Sequence, residues 1–226
     1  MDIPYIIVAG GKGLRMGSSI PKQYIEIDDK PIIFYTVSNL VNAGIKKFII
    51  VMDFSYKDYL EKFLKPLNVD IKYVQGGKER FDSVRNGINA IDYKTEYVAI
   101  HDSVRPFVNK DLLDRLNHSL DSNHWSCVIP VLKCKDTMKS IFKGHVESTL
   151  KRDSLRRVGT PQIVRLKDYQ IALEKIGSRI LEATDDASIM EMVGYTVGIV
   201  EGDEMSFKIT DEYDLEYFRC LLRRGK

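Results

Sequence analysis

The chain has 226 residues, of which 44% are hydrophobic and 29% are charged, and its formal net charge is +2. This composition is typical of a soluble globular protein with one substantial core, and the low charge argues against a nucleic-acid-binding protein. The sequence begins a strand almost at once and contains no long apolar stretch, so we expect neither secretion nor membrane insertion. Three cysteines without a C-x-x-C spacing, Cys127, Cys134 and Cys220, indicate reduced thiols in a cytoplasmic protein.

Short apolar runs alternate with amphipathic helical patterns over most of the chain. The predicted strands are residues 3–8, 47–52, 70–74, 97–100, 126–131 and 196–200. The predicted helices are residues 31–43, 55–67, 82–91, 111–120, 166–176 and 211–222. This alternation predicts one α/β domain with a mainly parallel sheet that is covered by helices on both faces.

Residues 133–158 break this alternation. They contain two strand-like runs, 137–142 and 145–150, on either side of Lys143-Gly144, which predicts a β-hairpin. A hairpin that projects from an α/β body exposes unpaired edges unless a partner covers them. We interpret the segment as a dimerisation arm, and the alternative is a hairpin that folds back on its own domain.

A glycine-rich loop follows the first predicted strand. Gly10, Gly11 and Gly13 have no Cβ, so they allow the backbone to approach a polyphosphate and to turn with positive φ. Arg15 and Lys22 add a planar and a point positive charge. The pattern predicts a site for a triphosphate, although a glycine turn flanked by solvated cations is the alternative.

Two common phosphate-binding loops do not match this segment. A dinucleotide-binding fingerprint requires a third glycine where Met16 stands, and the Walker loop requires Gly-Lys-Ser/Thr. We therefore do not expect NAD as a cofactor.

The loops after the predicted strands should converge, because active sites of open parallel sheets lie beyond the carboxyl ends of their strands. These loops and further polar segments are residues 75–87, 101–106, 151–152, 159–162, 184–188 and 207–210.

Asp102 ends a very apolar strand. It is placed to hold a ribose hydroxyl or a Mg²⁺ ion bound to the triphosphate, and the alternative is a helix or turn cap. His101 is expected to be a packed imidazole without a catalytic role. Asp185 and Asp186 are expected to cap the start of a helix.

Ser83 follows the double glycine Gly76-Gly77 at the start of a predicted helix. Backbone groups of the glycine turn and the Ser83 hydroxyl could together recognise a base. The alternative is that Ser83 only caps the helix.

Taken in order, these motifs resemble one family. AGGKGLRMGSSIPKQ, QGGKERFDSVRNG, HDSVRPF, the pair KR and TPQ, TDDAS and FKIT are similar to segments of the polyol-phosphate cytidylyltransferases, above all those that act on 2-C-methyl-D-erythritol 4-phosphate. The resemblance spans nearly the whole chain, and six motifs in one order are far more specific than any one of them.

The resemblance implies a Rossmann-like α/β fold of the nucleotide-diphospho-sugar transferase type. Residues 1–226 would form a single cytidylyltransferase domain with a projecting β-arm at about 133–158. The enzyme would be a homodimer that transfers CMP from CTP to a polyol phosphate, requires Mg²⁺ and releases pyrophosphate.

The resemblance also implies roles for individual residues. The catalytic groups would be Arg15, Lys22 and Lys208. The nucleotide would be bound by Ala9, Gly10, Gly11, Gly13, Gly76, Gly77, Ser83, Asp102 and Arg105, and Asp102 would also be the metal ligand. Thr137, Arg152 and Thr160 would bind the polyol phosphate, with Thr137 and Arg152 reaching into the neighbouring subunit.

Some positions depart from the family's usual pattern. Ala9-Gly10-Gly11 and Ser103-Val104 also occur in the ribitol-5-phosphate branch, whereas residues 83–87 and 184–188 are closer to the methylerythritol branch. We therefore expect 2-C-methyl-D-erythritol 4-phosphate as the acceptor and keep ribitol 5-phosphate as the alternative. A non-catalytic nucleotide-binding regulator is a more distant alternative, and a glycosyltransferase is disfavoured because Val104 replaces the second Asp of an Asp-x-Asp motif.

Overall fold

The computed structural model describes residues 3–11 and 20–224. Within these ranges the strands are β1 Tyr5–Ala9, β2 Glu26–Ile27, β3 Lys30–Pro31, β4 Lys47–Met52, β5 Asp70–Gln75, β6 Tyr97–Asp102, β7 Cys127–Lys133, β8 Lys139–Phe142, β9 His145–Thr149, β10 Arg156–Val158, β11 Gln162–Arg165 and β12 Val197–Glu201. The α-helices of the same ranges are α1 Ile32–Asn42, α2 Lys57–Leu64, α3 Arg80–Asn89, α4 Lys110–Asn123, α5 Leu166–Lys175, α6 Asp186–Met192 and α7 Glu212–Arg224.

The main sheet is mixed but mainly parallel. Across the sheet the strands follow the order β5, β4, β1, β6, β11, β7 and β12, and β10 pairs with the part of β7 beyond β11. Strands β5, β4, β1, β6, β7 and β12 run in one direction, while β10 and β11 are antiparallel to their neighbours. The predicted sheet is therefore confirmed, and the carboxyl ends of β1, β4, β5 and β6 meet at one edge.

Helices cover both faces, as predicted. In β1, Tyr5 and Ile7 point into a core formed with α1, α2 and α4, whereas Ile6 points into a second core formed with α3, α5 and α6. This alternation follows from the period of two in a strand, and it explains why the central strands are apolar on both sides. A third, smaller cluster joins α7 to α1 through Leu215 and Phe218.

Several element boundaries differ from the sequence predictions. The strands β10 and β11 were not predicted, because both are short and β11 is buried only by its insertion between β6 and β7. The predicted helix 55–67 is split, since α2 ends at Leu64 and a 3₁₀ turn that contains Pro66 follows.

The predicted hairpin is present between β8 and β9. The turn residues Lys143 and Gly144 both have positive φ, and β8 and β9 pair with each other in a separate two-stranded sheet. Residues 141–154 are all exposed. Among them, Ile141 and Val146 are 62% and 55% exposed, respectively. We use the name arm for residues 133–158.

In the part of the chain that the structure describes, every helix is too short or too polar to cross a lipid bilayer.

Candidate active site

A cavity of about 860 Å³ opens at the carboxyl edge of the parallel strands. It is formed by the loops after β1, β5 and β6 and by the segment between β12 and α7. The lining residues that the structure describes are Val8, Gly10, Gly11, Lys22, Gln23, Asp53, Gln75, Gly76, Gly77, Lys78, Glu79, Arg80, Ser83, Asp102, Ser103, Val104, Lys208 and Thr210. The predicted convergence of the loops is thus observed, because the parallel strands deliver them to one edge.

The two glycine loops pack against each other at the cavity wall. A Cβ on Gly10 would lie 3.1 Å from Ser83 Oγ, and a Cβ on Gly76 would lie 3.3 Å from Gly10 Cα. These distances leave little room for a Cβ, so glycine at both positions favours the close approach of the two loops. The expected positive φ at Gly10 and Gly11 is wrong, since neither is among the positive-φ glycines. The predicted residues Gly13 and Arg15 lie outside the described residues.

Gln23 fixes the start of the loop after β1. Its buried Nε2 donates to the carbonyl oxygens of Ala9, at 2.6 Å, and Gly11, at 2.9 Å. Ala9 itself is a buried residue of β1, and its backbone carbonyl is one of the two acceptors for Gln23. Sequence reasoning missed this role of Gln23, although its position directly after Pro21-Lys22 was part of the motif.

Ser83 stabilises the turn that precedes α3. Its hydroxyl accepts a hydrogen bond from Gly77 N at 3.0 Å and donates to the Glu79 carbonyl at 3.2 Å. The alternative that Ser83 caps α3 is wrong, because the N-cap is Glu79, which forms a capping box with Asp82. The turn is tight: a Cβ on Gly77 would lie 2.2 Å from the Cβ of Asp82.

Asp102 is the centre of a charged cluster. Its carboxylate lies 3.0 Å from Lys208 Nζ, 3.2 Å from Arg105 Nε and 3.9 Å from Arg80 Nε. Burial alone would raise the pKa of Asp102, but Lys208, Arg80 and Arg105 outweigh burial and hold this pKa well below its usual range. The carboxylate is therefore ionised at neutral pH and orders three cations.

The two predicted catalytic lysines lie in the same region. Lys22 comes from the 3₁₀ turn after the glycine loop, and its Nζ donates to the carbonyl of Ile209 at 2.9 Å. Lys208, one residue earlier, pairs with Asp102. Lys22 and Lys208 are 186 positions apart in the sequence, yet both line the same cavity.

Arg105 connects three parts of the protein. Besides pairing with Asp102, its Nη1 donates to the Ser206 carbonyl at 2.9 Å and its Nη2 to the Val158 carbonyl at 3.5 Å. The Arg105 guanidinium thus braces the segment that carries Lys208 against the base of the arm. Its predicted contact with the nucleotide remains a prediction.

Arg80 was not predicted as a site residue. Its Nη2 lies 2.7 Å from Asp186 Oδ2, and the same buried carboxylate accepts a hydrogen bond from the Tyr169 hydroxyl at 2.7 Å. Asp185, as expected, caps α6 and forms a capping box with Ser188. The expectation that Asp186 only caps this helix is wrong, because its carboxylate holds Arg80 against the cavity.

His101 is a packed imidazole, as predicted. Its Nε2 faces the Arg105 carbonyl at 3.1 Å and its Nδ1 faces Thr160 Oγ1 at 2.8 Å. Because a carbonyl can only accept, Nε2 carries the proton and Nδ1 accepts from Thr160. Burial lowers the pKa of His101 to about 4, so the ring is neutral.

Thr160 is predicted to bind the polyol phosphate, but it lies buried beside His101 and Asp102. Its buried hydroxyl donates to His101 and accepts from Asp102 N at 3.2 Å, so it positions Asp102 from within the protein. Thr137 and Arg152 are exposed on the arm, and Arg152 Nη1 donates to the Lys135 carbonyl at 2.8 Å. None of the three is among the described residues that line the cavity.

Comparison with known proteins identifies the family. The family model for IspD, 2-C-methyl-D-erythritol 4-phosphate cytidylyltransferase, matches residues 3–224. The chain belongs to this family. The predicted resemblance, α/β fold and enzyme class are thereby confirmed, while the role of the arm in dimerisation stays a prediction.

Individual relatives agree with the family match. The chain is 37% identical to the 2-C-methyl-D-erythritol 4-phosphate cytidylyltransferase of Clostridium perfringens, over 93% of this chain and 94% of that protein. It is 34% identical to the bifunctional enzyme IspD/IspF of Wolbachia pipientis, over 99% of this chain but only 56% of that longer protein. The chain therefore spans about half the length of the bifunctional relative.

Solved structures of the IspD family share the fold. The 4-diphosphocytidyl-2C-methyl-D-erythritol synthase of Anaerococcus prevotii superposes with a TM-score of 0.84 at 28% identity, covering 98% of both chains. The IspD of Francisella tularensis gives a TM-score of 0.80 at 30% identity, over 96% of this chain and 99% of that one.

The donor set at Asp102 fits one kind of metal site. Among the described residues there is no group of three or more His, Cys, Asp or Glu side chains that could enclose an ion. Mg²⁺, however, commonly uses one or two carboxylates together with waters and substrate phosphate oxygens. The ionised carboxylate of Asp102 at the wall of a cationic cavity is compatible with such an ion, bound together with a polyphosphate.

Proposed function

We propose that this IspD-family protein transfers CMP from CTP to 2-C-methyl-D-erythritol 4-phosphate and releases pyrophosphate, in isoprenoid biosynthesis. The observation that carries the proposal is the convergence of Lys22, Lys208 and Asp102 in one cavity beside two closely packed glycine loops. The names of the matched relatives support the methylerythritol acceptor over ribitol 5-phosphate.

We propose that the two ends of CTP lie against different loops of the one cavity. In the proposed binding mode, the triphosphate lies against Gly10, Gly11 and the two lysines. The cytosine lies against Gly76 and Gly77, whose turn Ser83 holds in place. Backbone groups of a rigid turn can discriminate one base from another because their donors and acceptors are fixed in space.

In the proposed reaction the acceptor's phosphate oxygen attacks the α-phosphorus of CTP. The bond between the α-phosphorus and the oxygen that bridges to the β-phosphate breaks, and pyrophosphate leaves. The attacking phosphate is already an anion at neutral pH, so no proton has to be removed. The environments of His101 and Asp102 agree with this, because the imidazole is buried and doubly hydrogen-bonded and the carboxylate is paired with three cations.

Catalysis then consists of positioning and charge neutralisation. Lys22 and Lys208 would offset the negative charge that grows on the α-phosphate and the leaving pyrophosphate, and Arg15 would add a third cation. Asp102 would orient Lys208 and contribute one ligand to Mg²⁺, and the ion supplies further charge neutralisation when it is bound with CTP.

We propose that the acceptor site is completed in a homodimer. Thr137 and Arg152, the expected acceptor ligands, are exposed on the arm and are not among the described residues that line the cavity of their own chain. An exposed hairpin with apolar side chains such as Ile141 and Val146 fits a surface that a second copy covers. Residues 1–226 would then act as one cytidylyltransferase domain, and the three free cysteines fit a cytoplasmic enzyme.

The test is pyrophosphate release from CTP with each of the two polyol phosphates in parallel. We expect turnover with 2-C-methyl-D-erythritol 4-phosphate and at least about tenfold lower kcat/KM with ribitol 5-phosphate. The reverse preference would identify a ribitol-5-phosphate enzyme. CTP binding without turnover on either acceptor would identify a non-catalytic regulator.

Two variants test the catalytic lysines in the same assay. Lys208→Met and Lys22→Met should each lower kcat by about 10²-fold or more, because each removes a charge that acts mainly in the transition state. Lys65→Met, at an exposed position after α2, is the matched control and should keep wild-type turnover. Near-normal kcat in Lys208→Met would contradict the assignment.

A further inference from the structure

The segment between β12 and α7, residues 202–211, connects the cavity to the arm. Its second half is fixed to the cavity, since Ile209 N donates to the Val104 carbonyl at 2.9 Å and Lys208 pairs with Asp102. Its first half contains a turn in which Ser206 N donates to the Asp203 carbonyl at 3.0 Å. Glu204 is the second residue of this turn, is exposed and is not among the described residues that line the cavity.

The carboxylate of Glu204 contacts both ends of the arm. Its Oε1 lies 2.7 Å from Lys135 Nζ, in the stretch that leads from β7 into the hairpin. Its Oε2 lies 2.7 Å from Arg157 Nη2, in β10, on the stretch that returns. Hydrogen bonds from Lys135 and Arg157 lower the pKa of Glu204, so both ion pairs are present at neutral pH.

Lys135 also contacts a predicted acceptor ligand. Its carbonyl accepts a hydrogen bond from Arg152 Nη1 at 2.8 Å, and Thr137 is two residues further along the chain. Glu204 is thus connected through one residue, Lys135, to Arg152, and through three residues of its own segment to Lys208. This connection joins the arm, whose Thr137 and Arg152 are expected at the neighbouring cavity, to the segment that carries Lys208 of the chain's own cavity.

We infer that Glu204 is a positioning residue that fixes the base of the arm to the body of its own chain, so that Arg152 and Thr137 are presented correctly to the acceptor phosphate in the neighbouring cavity of the proposed homodimer. The inference rests on the proposed function. The other support at the base of the arm is the pairing of β10 with β7 and the bond from Arg105 to Val158. Neither of these contacts involves Lys135, whereas Glu204 forms an ion pair with it.

The expected effect is on kinetics and not on global stability. The side chains of Lys135, Arg157 and Glu204 are 74%, 54% and 48% exposed, and exposed ion pairs contribute little to the free energy of unfolding. Glu204→Gln should therefore unfold at nearly the wild-type temperature. It should raise KM for the polyol phosphate about fivefold while KM for CTP stays within about twofold.

The experiment is a double-mutant cycle of Glu204→Gln and Lys135→Met, with both KM values measured for each protein. The acceptor KM of the double variant should equal that of Glu204→Gln alone, because Lys135→Met removes a contact that Glu204→Gln has already broken. Glu201→Gln, an exposed acid three residues earlier, is the control and should leave both KM values unchanged. Additive effects, or equal effects on CTP and the acceptor, would overturn the inference.

Hydrogen exchange gives a second readout that needs no turnover. Amides of residues 133–138 and 150–158 should exchange faster in Glu204→Gln than in the wild type, while amides of the central strands are unchanged. Unchanged exchange in the arm would overturn the inference even if KM moved. If the wild type releases no pyrophosphate with either acceptor, the proposed function fails, and exchange still decides whether Glu204 holds the arm.

Discussion

Asp102 and His101 are neighbours at the end of β6, and their surroundings give them opposite charge states. Three cations outweigh the burial of Asp102 and keep it ionised, whereas His101 is buried between Thr160 and the Arg105 carbonyl and stays neutral. The sequence could identify both residues. The charge of Asp102 is set by groups such as Lys208, which is 106 residues further along the chain and becomes a neighbour only in the folded protein. The charge of His101 is set mainly by its burial, which also follows from the fold.

The neutral His101 predicts a pH-dependent stability. Its pKa is about 4 in the folded state and near 6.5 in the unfolded chain, so the unfolded state binds more protons between these values. The associated stability is fully present above pH 6.5 and is lost as the pH falls toward 4. His101→Gln can make both hydrogen bonds without titrating.

Urea unfolding at pH 7 and pH 5 measures this effect. Between these two pH values the wild type should lose about 2 kcal/mol more of its free energy of unfolding than His101→Gln does. At pH 7 the two proteins should have similar stability, which verifies that glutamine replaces both hydrogen bonds. An equal loss in the two proteins would show that His101 does not titrate in this way.

At the scale of the element, the arm is a part of the fold where several apolar side chains remain exposed in a single chain. Among the described strands, β8 and β9 pair only with each other, and Ile141 and Val146, which are partners in the register, remain exposed. Replacing Val146 with Glu adds a charge to that apolar surface. If a second copy covers the surface, burial of this unpaired charge prevents association.

Sedimentation and the transfer assay measure the consequence. The wild type should sediment as a particle of two chains and Val146→Glu as a single chain of 25.9 kDa. The variant should still bind CTP but should lose most of its turnover, because in the proposed homodimer the arm would supply acceptor ligands to the neighbouring cavity. Leu181→Glu, at a position that is 73% exposed outside the arm, is the control and should remain dimeric. A dimeric Val146→Glu protein would contradict the proposed role.

At the scale of the whole molecule, strand periodicity explains why the site could be anticipated. The apolar runs of β1, β5 and β6 predict parallel strands, and parallel strands bring the loops that carry Gly10, Gly76 and Asp102 to one edge. These loops could therefore be placed together before their geometry was known.

The remaining features depend on contacts between distant segments. β11 is a four-residue strand whose burial comes from its insertion between β6 and β7. Arg80 and Asp186 are 106 residues apart, and each looks like an ordinary helix-start residue by itself. The connection of Glu204 to Lys135 and Arg157 likewise joins three separate segments. Local pattern does not contain such pairings, because they follow from the packing of the whole sheet.

The most direct test of the central claim is a crystal structure of the protein with CTP and magnesium. We expect the triphosphate to lie against Gly10, Gly11, Lys22 and Lys208, the metal at Asp102, and the cytosine at the Gly76-Gly77 turn. CTP bound elsewhere on the protein, or bound with its triphosphate away from both lysines, would contradict the claim.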